Sequence, residues 1–232
     1  MADKIKVKPV EGTDFKEIEV STKNWNLETR KLINRAIRQG TAEKNGYNLF
    51  DACCEILDNA TTLTEEEVFK LSKDEIEVVA LKLADEINKK KIDECLLRIN
   101  CHISFSGFQE GAFTGVSFPY VALCPSNRKE SEFKDITDVY DEIIRLYDEA
   151  EKKGFNVGEA IYSQSFFFAD LGLLIDEDCQ SRITEYKFCK QFNCPPYPSL
   201  KETPPIIVDD FLIIDQEYNH CIAKKQKEQS NA

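Results

Sequence analysis

The sequence predicts an α+β fold in which helix predominates, and three observations carry that prediction. Two capping boxes stand in tandem at Thr64/Glu67 and Ser72/Glu75. Apolar residues recur at three- and four-residue steps through most of the chain. Alternation of apolar and polar residues is confined to the N-terminus, and a pattern of short strands and turns to a glycine-interrupted stretch at 95–124. In a capping box, a hydroxyl and a carboxylate three residues later satisfy amides that a helix start leaves without partners. Each box therefore predicts where a helix begins.

Taken in order, residues 4–10 (KIKVKPV) and 15–21 (FKEIEVS) alternate across an EGTD turn, the pattern of a half-buried hairpin. Pro9 falls at the end or edge of its strand, where a missing amide does no harm. Asn26 is placed to cap a helix through about residue 39, with Leu32, Ile33, Ala36 and Ile37 on one face and Gly40 at the stop. A helix over about 47–58 groups Phe50, Cys54 and Leu57. Behind the second capping box, Ile76, Val79, Ala80, Leu83 and Ile87 define one apolar face. That helix is expected to end within 88–93, where Lys89, Lys90 and Lys91 read as a solvated C-terminus that complements the helix dipole. The expected domains are therefore 1–91, a hairpin-plus-helices unit, and 92–232, an α+β extension rich in aromatics and cysteine.

Within the extension, Gly107, Gly111 and Gly115 interrupt aromatics over 95–124, which predicts short strands and turns. Helical periodicity returns over 132–152 through Phe133, Ile136, Val139, Tyr140, Ile143, Tyr147 and Ala150, stopping at Gly154. Residues 161–175 are the most hydrophobic stretch. Phe166, Phe167 and Phe168 cannot all share one face, so at least one needs a second burial surface, in this domain's core or on a partner. A helix over 176–192 turns Ile183, Tyr186 and Phe192 inward. The proline-rich segment 194–205 reads as a rigid loop strapped across the fold. A final helix covers about 208–225, followed by a polar tail expected to fray.

The composition narrows the function classes. With 30 basic and 42 acidic side chains the net charge is -12, so the average surface repels a phosphate backbone and nucleic acid is not an expected partner. No run reaches the roughly 18 apolar residues of a membrane span. The opening MADKIKVK lacks the apolar core of a secretory signal, and a cytoplasmic location is expected. Nine cysteines, an odd number without metal spacing, point to free thiols in a reducing compartment. Cys189 and Cys194 form half of a conceivable zinc site, completed by Cys179, His220 or Cys221. Buried free thiols are the simpler reading, because Cys179 and Cys189 fall near a predicted apolar face.

Catalytic residues do not emerge from this reading. His102 and His220 each lie in a segment without an evident nucleophile, and the pairs Asp176/Asp178 and Asp209/Asp210 are what an acidic chain produces by chance. There is no nucleophile elbow, zinc-binding HExxH, phosphate loop or dinucleotide-binding glycine pattern. The expectation is a binding protein with no catalytic residues, no metal and no cofactor.

A short N-terminal hairpin, a helix like NLETRKLINRAI, a helix like FDACCEIL, and then LTEEEVFKLSKDEIEVVALKLADEINK together resemble tail assembly chaperones of tailed bacteriophages, over residues 4 to about 91. The resemblance implies a protein that holds the aggregation-prone tape measure protein during tail morphogenesis. It also implies a short form and a form extended by ribosomal slippage, with the NKKK at 88–91 at the corresponding place. A structural virion or baseplate assembly protein is a neighbouring reading, a Cys/His metal-binding enzyme a more distant one, and self-association stays open. Apolar side chains suited to a partner are Val68, Phe69 and Leu71 in the first part and Phe166, Phe167 and Phe168 in the second.

Overall fold

A computed structural model describes residues 4–7, 18–21, 49–68, 70–107 and 114–230. The fold is mainly helical α+β. Strands β1 (Lys4–Val7) and β2 (Ile18–Ser21) pair antiparallel, with Lys4 opposite Ser21 and Val7 opposite Ile18. The EGTD turn, the helix expected over 26–39 and the side chain of Phe69 lie outside the described residues. The chain divides into two compact units between Lys90 and Lys91.

In the first unit, α1 (Leu49–Ala60), the single turn α2 (Glu65–Val68) and the beginning of α3 (Lys73–Ser106) enclose one core. Both capping boxes are formed reciprocally. The Thr64 amide donates to Glu67 Oε2 at 2.8 Å while the Glu67 amide reaches Thr64 Oγ1 at 3.4 Å. The Ser72 amide donates to Glu75 Oε2 at 2.7 Å, and the Glu75 amide to Ser72 Oγ at 3.3 Å. Ile76, Val79, Ala80, Leu83 and Ile87, the face set by the three- and four-residue spacing, are buried against Cys53, Ile56, Leu57 and Ala60. Burying a side chain such as Leu57 or Leu83 contributes about 1.5–3 kcal/mol. Thr61 closes α1, its hydroxyl donating back to the Leu57 carbonyl at 2.8 Å.

Helix α3 does not end at the lysine run. No glycine or proline interrupts residues 73–106, and Lys91, expected in solvent, is 6% exposed. It pairs with Asp148 and lies over the Tyr147 ring, 4.9 Å from its centroid. Beyond it the helix buries two faces at once. Cys95, Ile99 and Ile103 pack into one core of the second unit, while Leu97, Cys101 and Phe105 pack into another. A helix apolar on two sides loses the one-sided periodicity that marks a surface helix, so residues 95–106 imitate a strand in sequence. The helix stops at Gly107, whose φ of 101° suits glycine.

The extension's strands therefore begin late: β3 (Tyr120–Cys124) pairs antiparallel with β4 (Lys129–Phe133), Tyr120 opposite Phe133. Phe133 belongs to this hairpin, not to the helix that follows. The buried Glu142 holds the connecting turn by accepting from the amide and hydroxyl of Ser126, each at 2.8 Å.

Helix α4 (Ile136–Lys153) starts on the Asp135 cap and ends at Gly154, whose φ of 72° places it in the left-handed region. Helix α5 (Val157–Ser165) returns beside α4, and a 3-10 turn (Leu171–Leu174) leads into α6 (Glu177–Phe192). Asn100, wholly buried on α3, fixes that passage with four hydrogen bonds. It donates to the carbonyls of Leu96 and Leu174 and accepts from the Asp176 amide and the Gln180 side chain.

Helix α7 (Pro205–Ser230) begins earlier and ends later than expected. Proline is tolerated in a first turn, where its missing amide has no helical partner. The polar tail stays helical through Ser230 because Lys224 pairs with Glu159 and Lys225 donates to the Phe105 carbonyl. Helices α6 and α7 run parallel: Arg182 meets Asp210, and further along both helices Lys190 meets Asp215. The chain between them must therefore return along the 16 residues of α6, about 24 Å of helix rise, which gives the proline-rich strap its role.

Candidate functional site

The predicted contact residues separate into three groups. Val68 and Leu71 are half-buried against the first unit's core, which they help to close. Phe168 is wholly buried, its ring stacked on Phe133 with centroids 5.6 Å apart, and its carbonyl accepts from the Tyr120 hydroxyl at 2.7 Å. Phe166 is half-buried against the same core. Of the three phenylalanines only Phe167, 49% exposed, offers its side chain to a partner. The second burial surface that the triplet demanded is this unit's own core.

Exposed apolar side chains lie elsewhere in the second unit. Phe188, Phe192, Tyr197, Leu200, Ile206 and Leu212 are all exposed within a span of 25 residues, 188–212. Phe192, expected to point inward, is 61% exposed, because α6 buries only Ile183 and Tyr186. One turn apart on the outer side of α6, Phe188 and Phe192 bring their rings to 4.7 Å between centroids. Of these, Phe188 and Phe192 form a contiguous exposed apolar pair, the kind of feature that marks interaction surfaces when it extends into a larger patch.

A second constellation is polar and buried, and the sequence reading missed it. Glu94, Arg98 and His102 recur every four residues on α3, and Glu217 and Cys221 stand one turn apart on α7. Arg98 donates through Nε and Nη2 to Glu94 Oε1 at 3.1 and 2.9 Å, and through Nη1 to Glu217 Oε1. The Tyr147 hydroxyl donates to the same Glu94 oxygen at 3.0 Å. His102 Nε2 lies 3.1 Å from Glu217 Oε2, and its Nδ1 lies 3.6 Å from Cys221 Sγ. The Ser106 hydroxyl also donates to that sulfur at 3.4 Å. Tyr162 stacks on the imidazole, ring centroids 5.4 Å apart.

Glycine makes room for the carboxylate. A Cβ at Gly158, in the first turn of α5, would lie 2.4 Å from Glu217 Oε2. Close by, Glu159 accepts from His220 at 2.8 Å and from Lys224 at 2.6 Å.

The electrostatics follow from this packing. Burial alone would lower the His102 pKa, but hydrogen bonds with Cys221 and Glu217 outweigh it and raise the value to about 9. Burial would raise the Glu217 carboxyl, yet the bond from His102 and the charge of Arg98 hold it below the usual range. Burial would likewise raise the Cys221 thiol, but donation from His102 and Ser106 holds it down. Cys95, Cys101 and Cys179 show the opposite outcome, all pushed up by burial. A sign was visible in the sequence: Glu217 occupies an apolar-face position of α7, in step with Ile207, Ile214 and Cys221. A charge in such a position signals a buried partner.

The nine cysteines are free thiols, and among the described residues no group of three or more His, Cys, Asp or Glu is arranged to hold a metal ion. Cys189 and Cys194 adjoin at the end of α6, where the Cys194 amide donates to the Cys189 carbonyl at 3.1 Å. Among the described residues no helix is long and apolar enough to cross a membrane. No family model, curated protein or solved structure matches the chain.

Proposed function

We propose that this chain is a cytoplasmic, non-catalytic protein-binding factor of phage tail morphogenesis, a chaperone that holds the tape measure protein before assembly. The observation that carries the reading is the exposed apolar series from Phe188 to Leu212, anchored by the Phe188/Phe192 pair. A holdase needs apolar surface that its own core does not consume, together with net charge that keeps the loaded complex in solution. The charge of -12 supplies the second requirement. The pattern of residues 4–91, with its paired capping boxes, supplies the resemblance that names the assembly pathway. Exposure supports Phe167, Phe188 and Phe192 as the contact residues in this reading, since Leu71 and Phe168 serve their own cores.

The test is association. The chain, tagged and expressed with the tail proteins encoded beside it, should retain a long helical tape measure protein and should be missing from purified particles. Phe188→Glu/Phe192→Glu should lose the association while its far-UV circular dichroism stays unchanged, because both side chains lie outside the core. Recovery of the chain in particles at fixed copy number would make it a structural subunit and overturn the chaperone reading.

A further inference from the structure

The Cys221 cluster is not explained by partner binding. Eight other cysteines share the chain, but this sulfur meets two polar groups, accepting from Ser106 Oγ and lying 3.6 Å from His102 Nδ1. The imidazole is itself held in place by Glu217 Oε2, and Glu217 by Arg98. An ionised Glu217 only accepts, so Nε2 carries a proton and the imidazole meets the sulfur through Nδ1. Sulfur, imidazole and carboxylate thus form a chain in which each group orients the next, the arrangement that activates a nucleophile.

Burial decides what such a nucleophile can meet. Cys221 is 2% exposed, which bars esters, peptides and bulky disulfides. The residues at the adjoining end of α3, Ser106 and Gly107, are exposed, so the sulfur lies just beneath the surface there. We propose that Cys221 is a peroxide-reactive thiol, activated by His102 and Ser106 and open only to oxidants the size of water.

The chemistry balances with hydrogen peroxide as oxidant. The thiolate attacks one peroxide oxygen, an S–O bond forms as the O–O bond breaks, and sulfur gives up two electrons. The imidazolium transfers its Nδ1 proton to the departing hydroxide, leaving water, a neutral imidazole and a sulfenic acid.

The experiment treats the reduced full-length protein at pH 7 with equimolar hydrogen peroxide and a dimedone-type sulfenic acid trap, then maps the label by peptide mass spectrometry. Cys221 should carry the label ahead of the more exposed Cys54, Cys189 and Cys194. Ser106→Ala, an exposed position that leaves the core intact, should slow labelling several-fold, and His102→Gln at least about tenfold. In the unaltered protein the rate at Cys221 should fall less steeply from pH 8 to pH 6 than that of an ordinary thiol, because His102 and Ser106 hold this thiol below its usual value. An ordinary thiol loses about tenfold per pH unit below its pKa. Labelling of Cys221 only after urea treatment, or no faster than the half-buried Cys54, Cys189 and Cys194, would overturn the proposal. So would equal reaction with oxidised glutathione, or a rate untouched by both substitutions.

Discussion

Gly158→Ala should destabilise the protein, although helix propensity alone predicts the reverse. Alanine is favoured over glycine inside a helix by up to about 1 kcal/mol, and Gly158 belongs to the first turn of α5. Its new methyl, however, would stand 2.4 Å from Glu217 Oε2, 2.5 Å from Cδ and 2.8 Å from Oε1. Real carbon atoms do not approach so closely, so the carboxylate must move. A surface glutamate would swing away at little cost, but this one is wholly buried and tied to Arg98 and His102. Displacing it weakens charge-assisted hydrogen bonds worth about 1.5–3 kcal/mol each, which exceeds the propensity gain. The expected net loss is about 1–2 kcal/mol, read from urea denaturation by far-UV circular dichroism. In a Glu217→Asp background, one methylene shorter, the same substitution should cost clearly less, and the difference is the coupling of the two positions. A Gly158→Ala protein as stable as the original would refute the claim that α5 packs directly on this carboxylate.

Other predictions extend the same reasoning. Glu217→Ala leaves Arg98 with Glu94 alone and takes the buried carboxylate from His102, and should cost toward the lower end of the about 3–5 kcal/mol that breaking a buried pair costs. Ser72→Ala removes the acceptor for the Glu75 amide and should cost about 1 kcal/mol; an unchanged urea midpoint would show that α3 begins elsewhere.

The pH dependence follows from two opposed shifts. The raised pKa of His102 stabilises the fold fully below the unfolded value of about 6.5, and that stability is lost as pH rises through about 9. The lowered pKa of Cys221 stabilises above the unfolded thiol value and is lost as pH falls through the folded one. The two shifts oppose each other in slope, the imidazole favouring the fold at lower pH and the thiol at higher pH. Cys221→Ser leaves His102 raised by Glu217 alone. Its stability should then fall with rising pH, by at most about 1.4 kcal/mol per unit. A Cys221→Ser protein whose urea midpoint stays level from pH 7 to 8 would contradict that opposition.

How far the sequence announced this structure depended on how many faces each helix buries. The start of α3 was legible because a capping box precedes a single apolar stripe, Ile76 to Ile87, and the opposite side meets water. Helix α4 was legible for the same reason and stops at Gly154 as its periodicity indicates, but it starts on Asp135, after Phe133, which belongs to β4. Residues 95–106 were misread because Cys95, Ile99 and Ile103 serve one core while Leu97, Cys101 and Phe105 serve another. Lys91 was misread because lysine runs are normally solvated, and nothing local reveals that Asp148 and Tyr147 await it.

The polar constellation depended on pairings across more than a hundred residues, His102 with Glu217 and Cys221. Local spacing contains only its halves, Arg98 with His102 and Glu217 with Cys221. Among the predicted contacts, Phe167 is exposed while Phe168 is core. The triplet showed that the three rings must part, but not which way each would turn.

The central claim is that exposed apolar surface on the second unit exists to hold an aggregation-prone partner. Its most direct test is the soluble fraction of the cognate tape measure protein expressed alone, with this chain, and with the Phe188→Glu/Phe192→Glu variant at equal levels. The account predicts that the tape measure protein moves from the pellet to the supernatant only with the unaltered chain. A partner equally insoluble in all three, or equally rescued by the variant, would contradict it.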